Sequence, residues 1–322
     1  MSKTVVVTGS SGYIGGTISY LLKQKGYKVV AIDVRPQPHL HKYFDVQILD
    51  DFCSMNSFYT IKNNKPDAII HCAGTSLVGP SLHDPGPYFY NNVFKTQGLL
   101  DFLATDKIDT KFIFSSSAAV YGDYTNNFEE GYETLPISPY GESKLMIEKT
   151  LKWYKQIFNI DYVAFRYFNA CGAVPGGIHG QEPNATHIFA KLFDAALNDE
   201  AFTLNGIYTQ TKDGSCVRDY VHVLDIAEAH ILAIEKNLSG IYNISTGTGH
   251  SNLEIQKIVE KLLDKEIVTI IGNKREGDPA TLTASSLLLK EGIWEPKYNM
   301  TDVVNHLNEW YTSDTFKSIK RS

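Results

Sequence analysis

A doubly wound α/β fold built on a parallel sheet is what this sequence predicts, on three observations. Short β-branched runs, apolar at nearly every position, recur through the first half of the chain. Segments long enough for crossover helices separate them, and a glycine-rich loop joins the first run to the first such segment. Strands covered on both faces read as continuous apolar stretches, and parallel neighbours require a crossover between them. The expected fold class is therefore α/β, a Rossmann-like sheet with a smaller mixed α/β domain attached.

In chain order, Thr4-Val5-Val6-Val7 is the first strand and residues 14–25 the first helix. Lys28-Val29-Val30-Ala31-Ile32 follows, then Asp67-Ala68-Ile69-Ile70, a helix over residues 91–104, and Lys111-Phe112-Ile113-Phe114 running into Ser115-Ser116-Ser117. Ser138 and Pro139 are an N-cap and first-turn pair for the next helix. Along it Tyr140, Lys144, Ile147, Leu151 and Tyr154 follow helical spacing. Tyr162-Val163-Ala164-Phe165 adds another strand. Beyond about residue 170 the texture changes: 172–184 is rich in Gly and Pro, and helices (188–197, 252–263) alternate with short strands (202–204, 267–271). Residues 1–170 are thus expected to form the dinucleotide domain and 171–322 a discontinuous substrate domain, with 217–240 returning to the large sheet.

The 322 residues, 43% hydrophobic and 20% charged, suit a soluble globular protein with one large core or two unequal ones. A net charge of −6 implies no nucleic-acid surface, so an anionic ligand must be held by a few arginines and backbone N–H groups. Lys317, Lys320 and Arg321 read as a frayed tail. Cys53, Cys72, Cys171 and Cys216 lack metal-like spacing and read as buried free thiols of a reducing compartment. With no apolar run of membrane-spanning length and no leader-like start, the expected location is cytoplasmic, away from any membrane.

The loop Thr8-Gly9-Ser10-Ser11-Gly12-Tyr13-Ile14-Gly15 stands between a strand and a helix. Gly9 permits a tight turn, Gly12 lets a pyrophosphate approach the backbone, and Gly15 allows the helix to pack closely on the sheet. The helix N-terminus then faces the phosphates. Asp33, at the end of the second strand, can accept hydrogen bonds from an adenosine ribose, or simply end a turn. A carboxylate there disfavours a 2′-phosphate, which points to NAD rather than NADP. Asp50 either meets adenine or solvates a turn.

Tyr140 and Lys144 are four residues apart on one helix and share a face. A cation about 5 Å from a phenol, at an effective dielectric of ~20, contributes roughly 3 kcal/mol, or about two pKa units. Beside an oxidised nicotinamide the phenol would approach neutral pH and become a usable base. Ser117, at the carboxyl end of its strand, borders the ligand crevice of such a sheet and can bond a substrate hydroxyl.

With these motifs the chain resembles the extended short-chain dehydrogenase/reductase family, and within it the sugar-nucleotide epimerases. The resemblance runs from Thr8 to about Asp302. It rests on Thr8 to Gly15, His71-Cys72-Ala73-Gly74, Asn91-Asn92-Val93, Ser115 to Gly122, Tyr140 to Lys144, Arg166-Tyr167-Phe168-Asn169, Val217 to Val223, and Arg275-Glu276-Gly277-Asp278.

The resemblance implies 4-epimerisation of a UDP-hexose with bound NAD. Tyr140 would take the proton of the sugar 4-hydroxyl, Lys144 would bind the nicotinamide ribose, and Ser117 would share the proton path. Tyr13, Ile14, Cys72, Ala73, Gly74, Asn92 and Phe168 would line the cofactor site. Arg218 and Arg275 would hold the diphosphate, with Asn169, Thr186, His187, Thr203 and Asp278 on nucleotide and sugar. Leu282 would adjust the room at the sugar C2 substituent and leave space for an N-acetyl group. It also implies a homodimer through 91–104 and 140–156. Ser76 and Lys95 depart from some relatives. Ala118 and Ala119 replace the acidic pair of dehydratases. The competing readings are another UDP-sugar, such as UDP-N-acetylglucosamine or UDP-glucuronate, and a non-catalytic NAD sensor.

Overall fold

The structure is a computed structural model that describes residues 2–123, 127–274 and 279–321. The chain divides into two compact units. The first comprises Met1–Asp123, Glu130–Tyr167 and Ile226–Ile244; the second comprises Tyr124–Glu129, Phe168–Asp225 and Ser245–Ser322.

The first unit is built on a seven-stranded, all-parallel sheet. Its order runs Gly240–Ile244, Tyr162–Tyr167, Lys111–Ser117, Ala68–His71, Thr4–Thr8, Lys28–Asp33, Val46–Leu49. Continuous apolar runs dictate this: Val5, Val6, Val7, Val29, Val30, Ile69 and Ile113 have no exposed surface. The order reverses at Thr4–Thr8, next to which the Ala68–His71 strand lies on one side and Lys28–Asp33 on the other. Ligands of open α/β sheets gather at the carboxyl ends beside such a reversal.

Helix Pro139–Phe158 opens as expected, with Ser138 Oγ accepting from the Gly141 N–H (3.1 Å) and Pro139 at its first position. Residues 91–104 are less regular than their pattern suggests. Phe89–Phe94 forms a π-helical turn that runs directly into the α-helix Lys95–Thr105.

The second unit contains a sheet in the order Gly249–Ser251, Val217–His222, Thr281–Ala284, Asn127–Phe128, with Asn169–Cys171 also paired to Val217–His222. A separate parallel pair joins Phe202–Asn205 to Thr269–Gly272. Helices Ile188–Asn198, Asn252–Leu263 and Met300–Thr312 bury Phe193, Ile255, Val304 and Trp310 in one core.

Two expectations need correction. Strand Val217–His222 belongs to the second unit's sheet; the large sheet receives Gly240–Ile244, delivered by the helix Val223–Glu235. The C-terminal tail is a helix, Asp314–Arg321, because Phe316 is buried against Trp310 and Tyr311 while the basic residues point outward.

Candidate active site

In the first unit the glycine loop is a cradle fixed by contact distances. Gly9 has φ +70°, and a Cβ there would stand 2.6 Å from the Ala73 nitrogen. A Cβ on Gly15 would fall 2.1 Å from the Gly9 carbonyl oxygen, so neither position accepts a side chain. Helix Tyr13–Gln24 starts at Gly12 with no acidic residue in its first turn, leaving its positive end to an anion from outside the chain. Ser10 Oγ is buried in the loop with no hydrogen-bond partner among the described residues. At the next strand end, Asp33 accepts from the Ser11 N–H (2.9 Å) and the Arg35 N–H (2.9 Å). This tight, donor-rich loop backed by a strand-end carboxylate fits a dinucleotide. Asp50 accepts from the Asp51 N–H (2.7 Å), and hydrogen bonding, that of Ser54 first, holds its carboxyl below the usual range.

Ser117, Tyr140 and Lys144 converge beside this loop's neighbours. The Lys144 ammonium donates to the Ser115 carbonyl (2.8 Å), lies 4.9 Å from the Phe114 ring centroid, and is 6% exposed. Tyr140 keeps part of its surface accessible, lies near enough to the Ser117 side chain for it to lower the phenol's pKa, and meets Tyr88 edge-on at 6.2 Å. Gly74 passes so close that a Cβ there would be 2.7 Å from Asn92 Oδ1 and 3.9 Å from Lys144 Nζ. Asn92, on the π-helical turn, ties this region together: Oδ1 accepts from the Thr75 N–H (2.7 Å), and Nδ2 donates to the Thr75 carbonyl (2.9 Å) and Ser143 Oγ (3.0 Å). Cys72 Sγ contacts Ser115 Oγ (3.2 Å), and burial pushes its thiol up to about 11.

Burial sets the electrostatics of the pair. Lys144 is aimed at a backbone carbonyl, 5.9 Å from the Tyr140 ring centroid, and does not dominate the phenol. Burial raises the Tyr140 pKa, the bond with Ser117 opposes that rise, and Tyr88 adds to it. Burial also brings Lys144 down to about 8. Desolvation is the largest influence on both groups, and it favours the neutral form of each.

In the second unit Arg218 is buried on strand Val217–His222, donating to the carbonyls of Val217 (2.7 Å) and Pro279 (2.7 Å). Leu282 is its register partner on Thr281–Ala284, and Asn169 lies on the strand paired with Tyr220. Thr186 and His187 are exposed, His187 heading helix Ile188–Asn198; Thr203 is exposed on the separate parallel pair; Phe168 is buried. Arg275 and Asp278 lie outside the described residues.

Sequence patterning gave no role to Asp219, Glu148 or the Ser115 carbonyl. Asp219 is fully buried and accepts from the N–H and Oγ1 of Thr246 (both 2.9 Å) and the Gly247 N–H (2.9 Å), fixing the turn after residue 245. An acidic residue inside a strand flanked by Val217 and Tyr220-Val221 was the available signal.

The model of the NAD dependent epimerase/dehydratase family matches residues 5–245. A UDP-glucose 4-epimerase of Halalkalibacterium halodurans is 38% identical, over 95% of this chain and 95% of its own. Among solved structures, one UDP-glucose 4-epimerase superposes with a TM-score of 0.91 at 35% identity, covering 97% of this chain and 98% of the other. The UDP-glucose 4-epimerase from Bifidobacterium longum, solved in complex with NAD⁺ and UDP, gives 0.90 at 29% identity, covering 98% and 99%. A glycine cradle, a strand-end carboxylate and a Ser/Tyr/Lys set with a buried lysine therefore sit in a chain that belongs to the NAD dependent epimerase/dehydratase family.

Proposed function

We propose that this protein is an NAD-dependent 4-epimerase that interconverts UDP-glucose and UDP-galactose. The observation that carries the reading is the meeting of Ser117, Tyr140 and a buried Lys144 beside Gly74 in the unit that bears the dinucleotide cradle. Gly9, Gly12, Tyr13, Ile14 and Gly15 hold the NAD pyrophosphate, Asp33 the adenosine ribose, and Cys72, Ala73, Gly74, Asn92 and Lys144 the nicotinamide side. Bound NAD supplies a reversible hydride acceptor, so that a C4 alcohol passes to a ketone and back on the opposite face.

The chain's own residues handle the proton. Tyr140 accepts it from the sugar 4-hydroxyl and returns it, and Ser117 steadies the phenolate by donating to it. The Ser115 carbonyl accepts from Lys144 and so favours its ammonium form against the burial that lowers it to about 8. Alternating acid and base roles favour a group tuned toward the working pH, and a charged ligand ring beside Tyr140 would oppose its upward shift.

Arg218 and Arg275 grip the diphosphate through guanidinium forks. Asn169, Thr186, His187, Thr203 and Asp278 contact the nucleotide and sugar. Leu282, level with Arg218 on the adjacent strand, favours a second substrate class, because leucine leaves room for an N-acetylhexosamine.

A homodimer through the helices of 91–104 and 140–156 is supported by their exposed large side chains, Phe94 at 66% and Trp153 at 60%. Equilibrium sedimentation that finds only monomer rejects it. A cytoplasmic location fits the four free thiols, and no helix among the described residues is long and apolar enough to cross a membrane. Fractionation tests it.

The central experiment gives purified protein UDP-galactose without added cofactor and separates the products. UDP-glucose is the expected product; none, in protein shown to carry NAD, rejects the activity.

A further inference from the structure

Glu148 lies one turn beyond Lys144 and two beyond Tyr140, on the same face of helix Pro139–Phe158. It is 1% exposed, and a carboxylate so deeply buried needs a dedicated set of partners. Two strands provide them. Arg166 grips it as a fork, Nε on Oε1 (3.0 Å) and Nη2 on Oε2 (2.6 Å), while Ser116 Oγ donates to Oε1 (2.6 Å). Ser116 and Arg166 are themselves register partners across strands Lys111–Ser117 and Tyr162–Tyr167.

Arg166 is fixed in turn. Its guanidinium lies 4.7 Å from the Tyr121 ring centroid, and Nη1 donates to the Glu130 carbonyl (3.3 Å). The Tyr121 hydroxyl donates to Asn243 Oδ1 (2.7 Å), whose backbone N–H reaches Glu130 Oε1 (3.0 Å). Stability alone is a weak reason for such a pair, since apolar groups of the same shape often serve as well.

The position of Ser116 supplies a better reason. Its neighbour on one side, Ser115, offers the carbonyl that anchors Lys144; its neighbour on the other, Ser117, lies near enough to Tyr140 to lower its phenol's pKa. The hydroxyl between these two contacts is fastened to the helix that carries both partners.

We infer that Ser116, Glu148 and Arg166 form a positioning clamp that sets the register of the Pro139–Phe158 helix against the Lys111–Ser117 strand, and so places Tyr140 and Lys144 for reaction. None of the three touches substrate. The inference rests on the proposed roles of Ser117, Tyr140 and Lys144.

The test compares Ser116→Ala and Glu148→Asp with the parent and with Tyr140→Phe, measuring bound NAD, thermal midpoint, kcat and KM for UDP-galactose, and the pH profile of kcat. Misplacement by about 1 Å can lower rates by about 10²-fold, so kcat is expected to fall at least about tenfold while KM stays within about twofold. Bound NAD and thermal midpoint should remain near parental, and the acidic limb of the profile should move to higher pH as Ser117 lets go of the phenol. Glu148→Asp keeps the charge on Arg166 but shortens the reach, so it reads the same effect if Ser116→Ala folds poorly. Parental kcat in the folded variants beside an inactive Tyr140→Phe overturns the clamp alone. So does a loss of activity that merely tracks lost NAD or stability. Full turnover by Tyr140→Phe overturns the clamp and the underlying roles together.

Discussion

The two units bury polar chemistry in different ways. In the first, each critical side chain is tied to backbone or to a neighbour already fixed by the parallel sheet: Lys144 to the Ser115 carbonyl, Asn92 to both polar groups of Thr75, Glu148 to a fork. In the second, Arg218 and Leu282 share a strand register, while Thr186, His187 and Thr203 stand exposed on other elements. The first unit is preorganised for one bond-making geometry, whereas the second offers dispersed contacts. Chemistry should therefore be intolerant of small changes in the first unit, and selectivity adjustable in the second.

The most severe way to probe this contrast is Tyr140→Phe, which leaves the fold and cradle intact and removes the hydroxyl. Turnover should fall by about 10²- to 10⁴-fold, the usual range for a lost acid–base group, with bound NAD retained; cofactor absorbance in the purified variant checks the second half. Next comes Gly15→Ala. Its Cβ would lie 2.1 Å from the Gly9 carbonyl oxygen, an overlap that backbone must relieve. We expect cofactor-free protein destabilised by about 1–3 kcal/mol, read from denaturant midpoints, and normal NAD content would show the cradle to be looser than described.

Leu282→Tyr should act in the second unit and only on selectivity. Turnover of UDP-N-acetylgalactosamine should drop by about 10–200-fold relative to UDP-galactose, as expected for a change in pocket volume. Equal turnover of both sugars in the variant removes Leu282 from any role in selection.

The smallest effect concerns acid. Burial holds both His71 in the first unit and His222 in the second down to about 3, against ~6.5 when unfolded. A depressed folded value means that each contributes stability above pH ~6.5 that is lost progressively as pH falls toward 3. By pH 5 that is about 2 kcal/mol per ring, from about 1.36 kcal/mol per pKa unit. The partners differ. His71 sits between the hydroxyls of Thr8 (2.7 Å) and Thr96 (3.0 Å), which can turn their lone pairs toward a charged ring. His222 Nδ1 accepts from the Leu224 N–H (3.1 Å), which leaves Nε2–H to donate to His306 Nδ1 (3.0 Å), so protonation at Nδ1 sets a donor against the Leu224 N–H. Amide exchange at pH 5 should thus lose protection first around His222; a uniform loss in both units would erase this difference.

The large sheet was legible because its buried strands are continuous apolar runs, and the cradle because each glycine has a steric duty. Tyr140 and Lys144 were legible as a spacing, but the phenol's upward shift was not, since desolvation depends on surroundings that no local pattern records. Glu148 and Arg166 are eighteen positions apart and meet only once the strands are in register. The tail was misread because Lys317, Lys320 and Arg321 drew attention from Phe316, and Ile319 also packs on that core. The return of Gly240–Ile244 to the large sheet depended on which strand would accept Val217–His222, which is decided by pairing rather than by composition.

The π-helical turn Phe89–Phe94 has an implication for how this chain tolerates insertions and deletions. Such a turn closes i→i+5 bonds and holds one residue more than the α-helical winding around it. Removing that extra residue would let the helix run on regularly with both flanks in their present phase, whereas removing one from the regular winding of Lys95–Thr105 would swing everything beyond it by about 100°, the angle of one residue at 3.6 per turn. Only the second deletion would turn buried Leu99 or Leu103 away from the core, while the first is harmless so long as Asn92 keeps its bonds to Thr75 and Ser143. In sequence drift, then, this turn is where the chain can lose one residue without a change of helical phase, and the helix after it is where it cannot.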